Sequence, residues 1–121
     1  LTAETHLSTA ADLLTLARAG WKMKRFRQYV GTRQHGCRLV GPGGRQRNIV
    51  WRNTNRLLPT EGYDGVKTGT TSAAGACLVS TGRRGKDRLF VVVLGAAASA
   101  ARYTDSRNLY RWAWIQRGHK K

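Results

Sequence analysis

Carboxylates are what this sequence most lacks: six Asp and Glu stand against 22 Lys and Arg in 121 residues, for a net charge of +16. From residue 13 to residue 60 there is no carboxylate at all, while basic side chains recur throughout. Such a field attracts polyanions of any kind, whether nucleic acid, anionic lipid or an acidic wall polymer. A solvated cationic surface with no specific partner accounts for the same charge. Cysteine is nearly absent too. Cys37 and Cys77 are too few and too far apart for a zinc site or a disulfide framework, which leaves two unpaired thiols. No stretch approaches the ~20 apolar residues of a membrane span. The opening "LTAETHLSTAADLL" has neither the basic start nor the apolar core of a signal peptide, and no methionine leads it. Residue 1 is therefore expected not to be the natural beginning. Internal repeats and low-complexity segments are missing as well.

What is present reads as one small globular domain, with 40% apolar residues. Thr9 followed by Asp12 is a capping-box pattern ahead of Leu13, Leu14, Leu16 and Ala17, which predicts a helix over about 9–19. Gly20 separates it from a shorter helix with Met23, Phe26 and Val30 on one face and Lys22, Lys24, Arg25 and Arg27 on the other. "CRLV" and "RNIVW" around "GPGG" predict an exposed hairpin over 37–52. "GYDGVKTGT", "ACLVSTGRR" and "DRLFVVVLG" are three strands. Their short connections, including Arg84-Gly85-Lys86, make the sheet antiparallel. Phe90 to Leu94 is apolar without alternation, which predicts a strand covered on both faces and lying inside a sheet. Ser99 is expected to cap a last helix over about 99–117, packed through Tyr103, Leu109, Tyr110, Trp112 and Ala113. The fold class is α/β (α+β), with helices before and after a small sheet.

The chemistry concentrates in "DGVKTGTTSAAG". Lys67 places a compact ammonium with three donors on a strand. Thr68 offers a hydroxyl, and Gly69 lets an extended peptide or a lactam ring lie against the strand. Neither the cysteines nor the histidines have metal-ligand spacing, so no metal or organic cofactor is expected. His6 borders a helix cap. Thr54 and Asn55 are read as polar turn residues that satisfy local backbone.

In its ordered blocks "HLSTAADLLTLARA", "NTNRLL", "GYDGVKTGTTSAAGACLV", "VVLGA" and "SAAR", the chain resembles the serine D-alanyl-D-alanine carboxypeptidases of the penicillin-binding protein group. That family joins a Ser-x-x-Lys nucleophile motif and a Ser-x-Asn element to Lys-Thr-Gly. No lysine here has a serine three positions earlier, and the sole Ser-x-Asn, Ser106 to Asn108, follows the triplet instead of preceding it. The resemblance thus implies a C-terminal portion whose nucleophile lies upstream. It implies a single partial domain over 1–121, with a helical segment plus hairpin over 1–60 and the sheet and C-terminal helix of a transpeptidase-like domain over 61–121.

By the same resemblance Lys67 would serve the proton relay, the backbone N–H of Thr70 would complete an oxyanion hole, and Thr68, Gly69 and Arg102 would bind substrate. The Lys-Thr-Gly strand would lie at the active-site edge of a five-stranded sheet, and the strand at 88–95 would pair with one from the missing N-terminal half. The implied partners are peptidoglycan stem peptides ending in D-Ala-D-Ala and, as inhibitors, β-lactams. Location would be extracytoplasmic, with the signal on the missing part. Residues 18 to 56 are expected to hold polyanions without specificity, and no sequence-specific nucleic acid is expected. The competing expectations are a non-catalytic cationic relative that keeps the fold without the serine, or a cationic binding protein for acidic cell-wall polymer or nucleic acid.

Overall fold

The polar cap at Thr9 starts the chain's first helix as the sequence requires. The computed structural model describes residue 3 and residues 5–119; within these, the Thr9 hydroxyl accepts from the Asp12 N–H at 3.1 Å and opens helix α1, Ala10–Trp21. The helix runs through Gly20, which is buried under the Phe26 ring, so the break falls at Lys22 and Met23. Leu16, expected on the packed face, is 65% exposed, and Ala17 and Gly20 are the buried positions. Helix α2, Lys24–Gly31, follows with Met23 as its N-cap. Arg27 turns back to donate to the Trp21 carbonyl, closing the α1–α2 corner.

Strands β1, Gln34–Val40, and β2, Gln46–Arg52, form the hairpin, which is longer than the expected 37–52 and turns at Pro42–Gly44. It is a separate two-stranded sheet, exposed along most of both strands. The main sheet has three antiparallel strands in the order β3-β4-β5, with β3 Tyr63–Thr71, β4 Gly75–Arg84 and β5 Asp87–Ala96. Gly75, at φ +66, makes the β3–β4 turn possible; its Cβ would meet the Gly95 and Ala96 backbone at 3.1 Å. Helix α3, Ala101–Gln116, closes the chain. Ser99 is not its cap: Ala100 is, with no side-chain hydrogen bond.

Alternation along the strands sorts the sheet into two faces. Leu78 opposite Val93 and Ser80 opposite Val91 face α3 and are buried with Leu57, Ala76, Ala96, Tyr103, Tyr110 and Trp114. The α3 stripe is Tyr103, Ser106, Tyr110 and Trp114. Leu109 and Trp112, expected to pack, lie off that stripe and are 44% and 63% exposed, because the helical period that puts Tyr103 and Tyr110 inward carries residues 109 and 112 outward. α1 covers the other face, where Trp21 meets Phe90 edge-on at 5.8 Å and Arg88 stacks on Trp21 at 4.4 Å while pairing with Asp64 at 2.6 Å. So β5 is covered from both faces, as its unbroken apolar run requires. Among the described residues only β4 pairs with it, so its outer edge has no strand partner there.

Candidate active site

Both outer edges of the main sheet are free of strand partners among the described residues, and the Lys-Thr-Gly triplet sits on one of them, on β3. Register fixes which way its residues face. Lys67 stands opposite Val79 and Gly69 opposite Cys77, both on the side away from α3, and both are exposed. A Cβ added at Gly69 would meet nothing within 4 Å. An extended ligand can therefore approach this strand without a side chain in its way. The Lys67 ammonium donates to the Thr68 carbonyl.

Thr68 faces the other way and is 6% exposed. Its hydroxyl lies 2.6 Å from that of Thr54. Thr54 belongs to the segment after the hairpin, which clips β3 in place through several bonds. Asn55, 2% exposed, donates from Nδ2 to the Gly65 carbonyl at 2.9 Å, and its Oδ1 accepts from the Leu57 N–H at 3.0 Å. The Tyr103 hydroxyl on α3 donates to the Thr54 carbonyl at 2.9 Å. The backbone of β3 also comes close to α2 at Gly65, where a Cβ would lie 2.9 Å from Val30 Cγ2. Glycine is needed there for packing. The expectation that Thr54 and Asn55 satisfy only local backbone needs correction: Asn55 does so in part, but both residues also reach across to β3.

Arg102 is in the first turn of α3 and 7% exposed. One of its terminal nitrogens, Nη1, donates to the Gly69 carbonyl at 3.1 Å, the Thr70 hydroxyl at 2.9 Å and the Cys77 carbonyl at 3.3 Å. Its Nε has no hydrogen-bond partner. It belongs to no ion pair among the described residues. A guanidinium here opposes the helix dipole; its charge is met by these neutral oxygens and by the Tyr103 ring, whose centre lies 5.1 Å from the guanidinium carbon. The structure thus brings Gly69, Thr70 and Arg102 into one bonded group, places Thr68 behind them in the core, and leaves Lys67 on the open side. The Thr54–Thr68 and Tyr103–Thr54 links were invisible to sequence reasoning. Their only sequence signal is the recurrence of small polar residues beside an apolar strand.

A free-edged strand bearing Lys-Thr-Gly, backed by a helix whose first turn carries a buried arginine, defines a penicillin-binding-type peptidase sheet. The comparisons agree: residues 1–98 match the D-alanyl-D-alanine carboxypeptidase family S11, and the chain belongs to that family. It is 32% identical over 117 residues, 96% of its length, to the D-alanyl-D-alanine carboxypeptidase DacF of Bacillus subtilis, covering 29% of that protein. The crystal structure of the Streptomyces K15 DD-transpeptidase superposes with a TM-score of 0.83 at 33% identity, over 89% of this chain and 42% of that one. Penicillin-binding protein D2 of Listeria monocytogenes, in its cefotaxime-bound form, gives 0.70 at 27% identity over 92% of this chain and 43% of that one. The chain thus spans less than half the length of each of these relatives.

Proposed function

We propose that this chain is the Lys-Thr-Gly-bearing portion of a serine D-alanyl-D-alanine carboxypeptidase that trims the terminal D-alanine from peptidoglycan stem peptides outside the cytoplasmic membrane. The observation that carries the reading is the pairing of an open strand edge, with Lys67 and Gly69 exposed on one side, and a buried arginine behind it that has no ion-pair partner among the described residues. The nucleophilic serine is supplied from outside residues 1–121, which contain no Ser-x-x-Lys.

In this reading the stem peptide lies along β3 as an added strand. The serine attacks the penultimate D-alanine carbonyl, and the developing oxyanion is held by the serine's own N–H and that of Thr70. Lys67 supplies a fixed positive charge and a donor to the proton relay that activates the serine. Collapse of the tetrahedral intermediate releases D-alanine and leaves an acyl-enzyme, which water then hydrolyses. The substrate's terminal carboxylate is drawn to this strand end by the charge of Arg102, with the Thr70 hydroxyl beside it and Thr68 acting from behind, where its bond to Thr54 holds the strand in position. A β-lactam carbonyl enters the same path and stays as the acyl group.

The decisive experiment is acylation of the full-length enzyme by a labelled penicillin, read by intact mass. Lys67→Ala is expected to slow it by several orders of magnitude. A loss below about tenfold, roughly 1.4 kcal/mol of barrier, would reduce Lys67 to a surface residue and reject the reading.

A further inference from the structure

The β1–β2 hairpin takes no part in the proposed peptidase chemistry. Among the described residues its strands pair only with each other, and a lone two-stranded ribbon has little stability of its own. Its base is nevertheless locked to α2. The Asn53 N–H donates to the Arg33 carbonyl at 2.8 Å, and the Asn53 side-chain amide donates to the Val30 and Thr32 carbonyls at 3.2 and 3.1 Å. Between the end of α2 and this base lies a cleft of about 460 Å³, in the size range of small-ligand sites.

Two aromatic rings line the cleft, Tyr29 from α2 and Trp51 from β2. They are 75% and 61% exposed, so their faces are open to a ligand. Trp51 is held in place all the same. It stands opposite His35, which puts it on the same face of the ribbon as Cys37, and its indole N–H donates to the Cys37 Sγ at 3.3 Å. That bond satisfies the ring's one polar group and leaves an apolar, pre-oriented surface. Neutral hydrogen-bonding groups share the lining. The Gln28 and Gln34 amides each supply donors and an acceptor. The Thr32 hydroxyl donates to the Gln28 carbonyl at 2.6 Å and keeps its lone pairs for a second partner. Arg52 adds a single guanidinium, and no carboxylate lines the cleft. Clustered cations suit a polyanion, whereas pinned aromatic carbon beside amides and a hydroxyl suits a neutral ligand with apolar faces and polar edges.

We propose that this cleft binds a hexopyranose unit of a glycan, with the C–H face of the sugar on the Trp51 ring, Tyr29 flanking it, and its polar substituents bonded by Gln28, Gln34 and Thr32. A pyranose has that amphipathic shape: C–H bonds on its faces and hydroxyls around its rim. The identity of the glycan rests on the peptidase reading above, under which it is an N-acetylated amino sugar of the peptidoglycan strand. The position agrees with that assignment. The residue after Asn53 is Thr54, whose hydroxyl meets that of Thr68 at 2.6 Å, so the hairpin base continues directly into the segment that clips the Lys-Thr-Gly strand. A glycan seated here would lie beside the strand on which its stem peptide pairs.

The test is a calorimetric titration of the full-length enzyme with the tetramer of N-acetylglucosamine. Trp51→Ala is expected to weaken binding at least about tenfold, as truncation of an aromatic anchor does, and Trp51→Phe, which keeps a flat ring, is expected to weaken it less. Tyr29→Ala, on the other element, should weaken it about threefold or more. Trp112→Ala, which removes a similarly exposed indole from α3, should change it by less than about twofold. No binding of the tetramer by the unsubstituted enzyme, or equal losses in Trp51→Ala and Trp112→Ala, would overturn the site. The titration involves neither the nucleophilic serine nor Lys67. It can therefore fail while penicillin acylation succeeds, and succeed while acylation fails, so the glycan site and the peptidase reading are rejected separately.

Discussion

The hydroxyls of Thr54 and Thr68 meet at 2.6 Å, fourteen residues apart in sequence. This bond ties the middle residue of the Lys-Thr-Gly triplet to the segment that Tyr103 anchors on α3. A residue read from sequence as a substrate contact is thus at the same time part of the scaffold that sets the strand's position.

Thr68→Val keeps the shape and removes the hydroxyl, leaving Thr54 with one fewer partner in a half-buried site. A loss of about 1–2 kcal/mol in unfolding free energy is expected, without change in denaturant slope. Thr68→Ser should restore most of it. In the Thr54→Val/Thr68→Val double variant the loss should be smaller than the sum of the singles, because both remove one bond. Strict additivity would mean that the two hydroxyls contribute nothing to each other.

Arg102 joins three oxygens on β3 and β4 through one nitrogen, so its charge and its bonds can be separated by substitution. Arg102→Lys retains the cation but cannot reproduce the planar fork. For the full-length enzyme, turnover of a D-Ala-D-Ala peptide with a free C-terminal carboxylate should fall at least about tenfold, while the carboxamide analogue should be nearly unaffected. If both substrates fall equally, Arg102 acts only by holding the strand.

The order of helices, hairpin, strands and final helix was legible because each rests on local signals: Thr9 with Asp12, the "GPGG" turn, the tight turn at Gly85 and the apolar strands. The Lys-Thr-Gly strand was legible for the same reason. What failed was helical phase. Leu16, Leu109 and Trp112 are apolar yet exposed, since a short window fits several helical phases equally well and only the sheet beneath selects one. β5 reads as interior because α1 and α3 cover both its faces, while its second edge has no partner among the described residues. The Thr54–Thr68 bond and the burial of Arg102 depend on tertiary placement, and nothing in local spacing encodes them.

Tyr110 is buried with its hydroxyl donating to Ser80 at 3.1 Å, and burial pushes its ionisation well above the ordinary value of 10. Its folded pKa is raised, so the stability it contributes is complete below pH 10 and is lost as pH rises from there toward the folded value. Unfolding midpoints are expected to drop above pH 10. Tyr110→Phe should flatten this alkaline decline while costing about 1 kcal/mol at neutral pH for the lost hydrogen bond. An unchanged alkaline slope in Tyr110→Phe would assign the decline to other groups.

The outer edge of β5 bears on how residues 1–121 behave in isolation. Its N–H and C=O groups along "LFVVVL" have no strand partner among the described residues on that side, and Leu94 is 37% exposed. On the neighbouring α3, Leu109, Trp112 and Ile115 add exposed apolar surface. Unpaired edges recruit strands, and contiguous apolar surface promotes association. The isolated polypeptide is therefore expected to dimerise or aggregate as concentration rises, in light scattering at moderate salt. It should also take up no labelled penicillin, since it has no Ser-x-x-Lys. Supplying the remainder of the enzyme as a separate polypeptide should restore both solubility and acylation, because a strand from it would pair with β5 and the serine would arrive beside Lys67. A monodisperse monomer that melts cooperatively would show that the β5 edge is tolerated without a partner. An acyl adduct on any serine of residues 1–121 would show that the nucleophile lies within them.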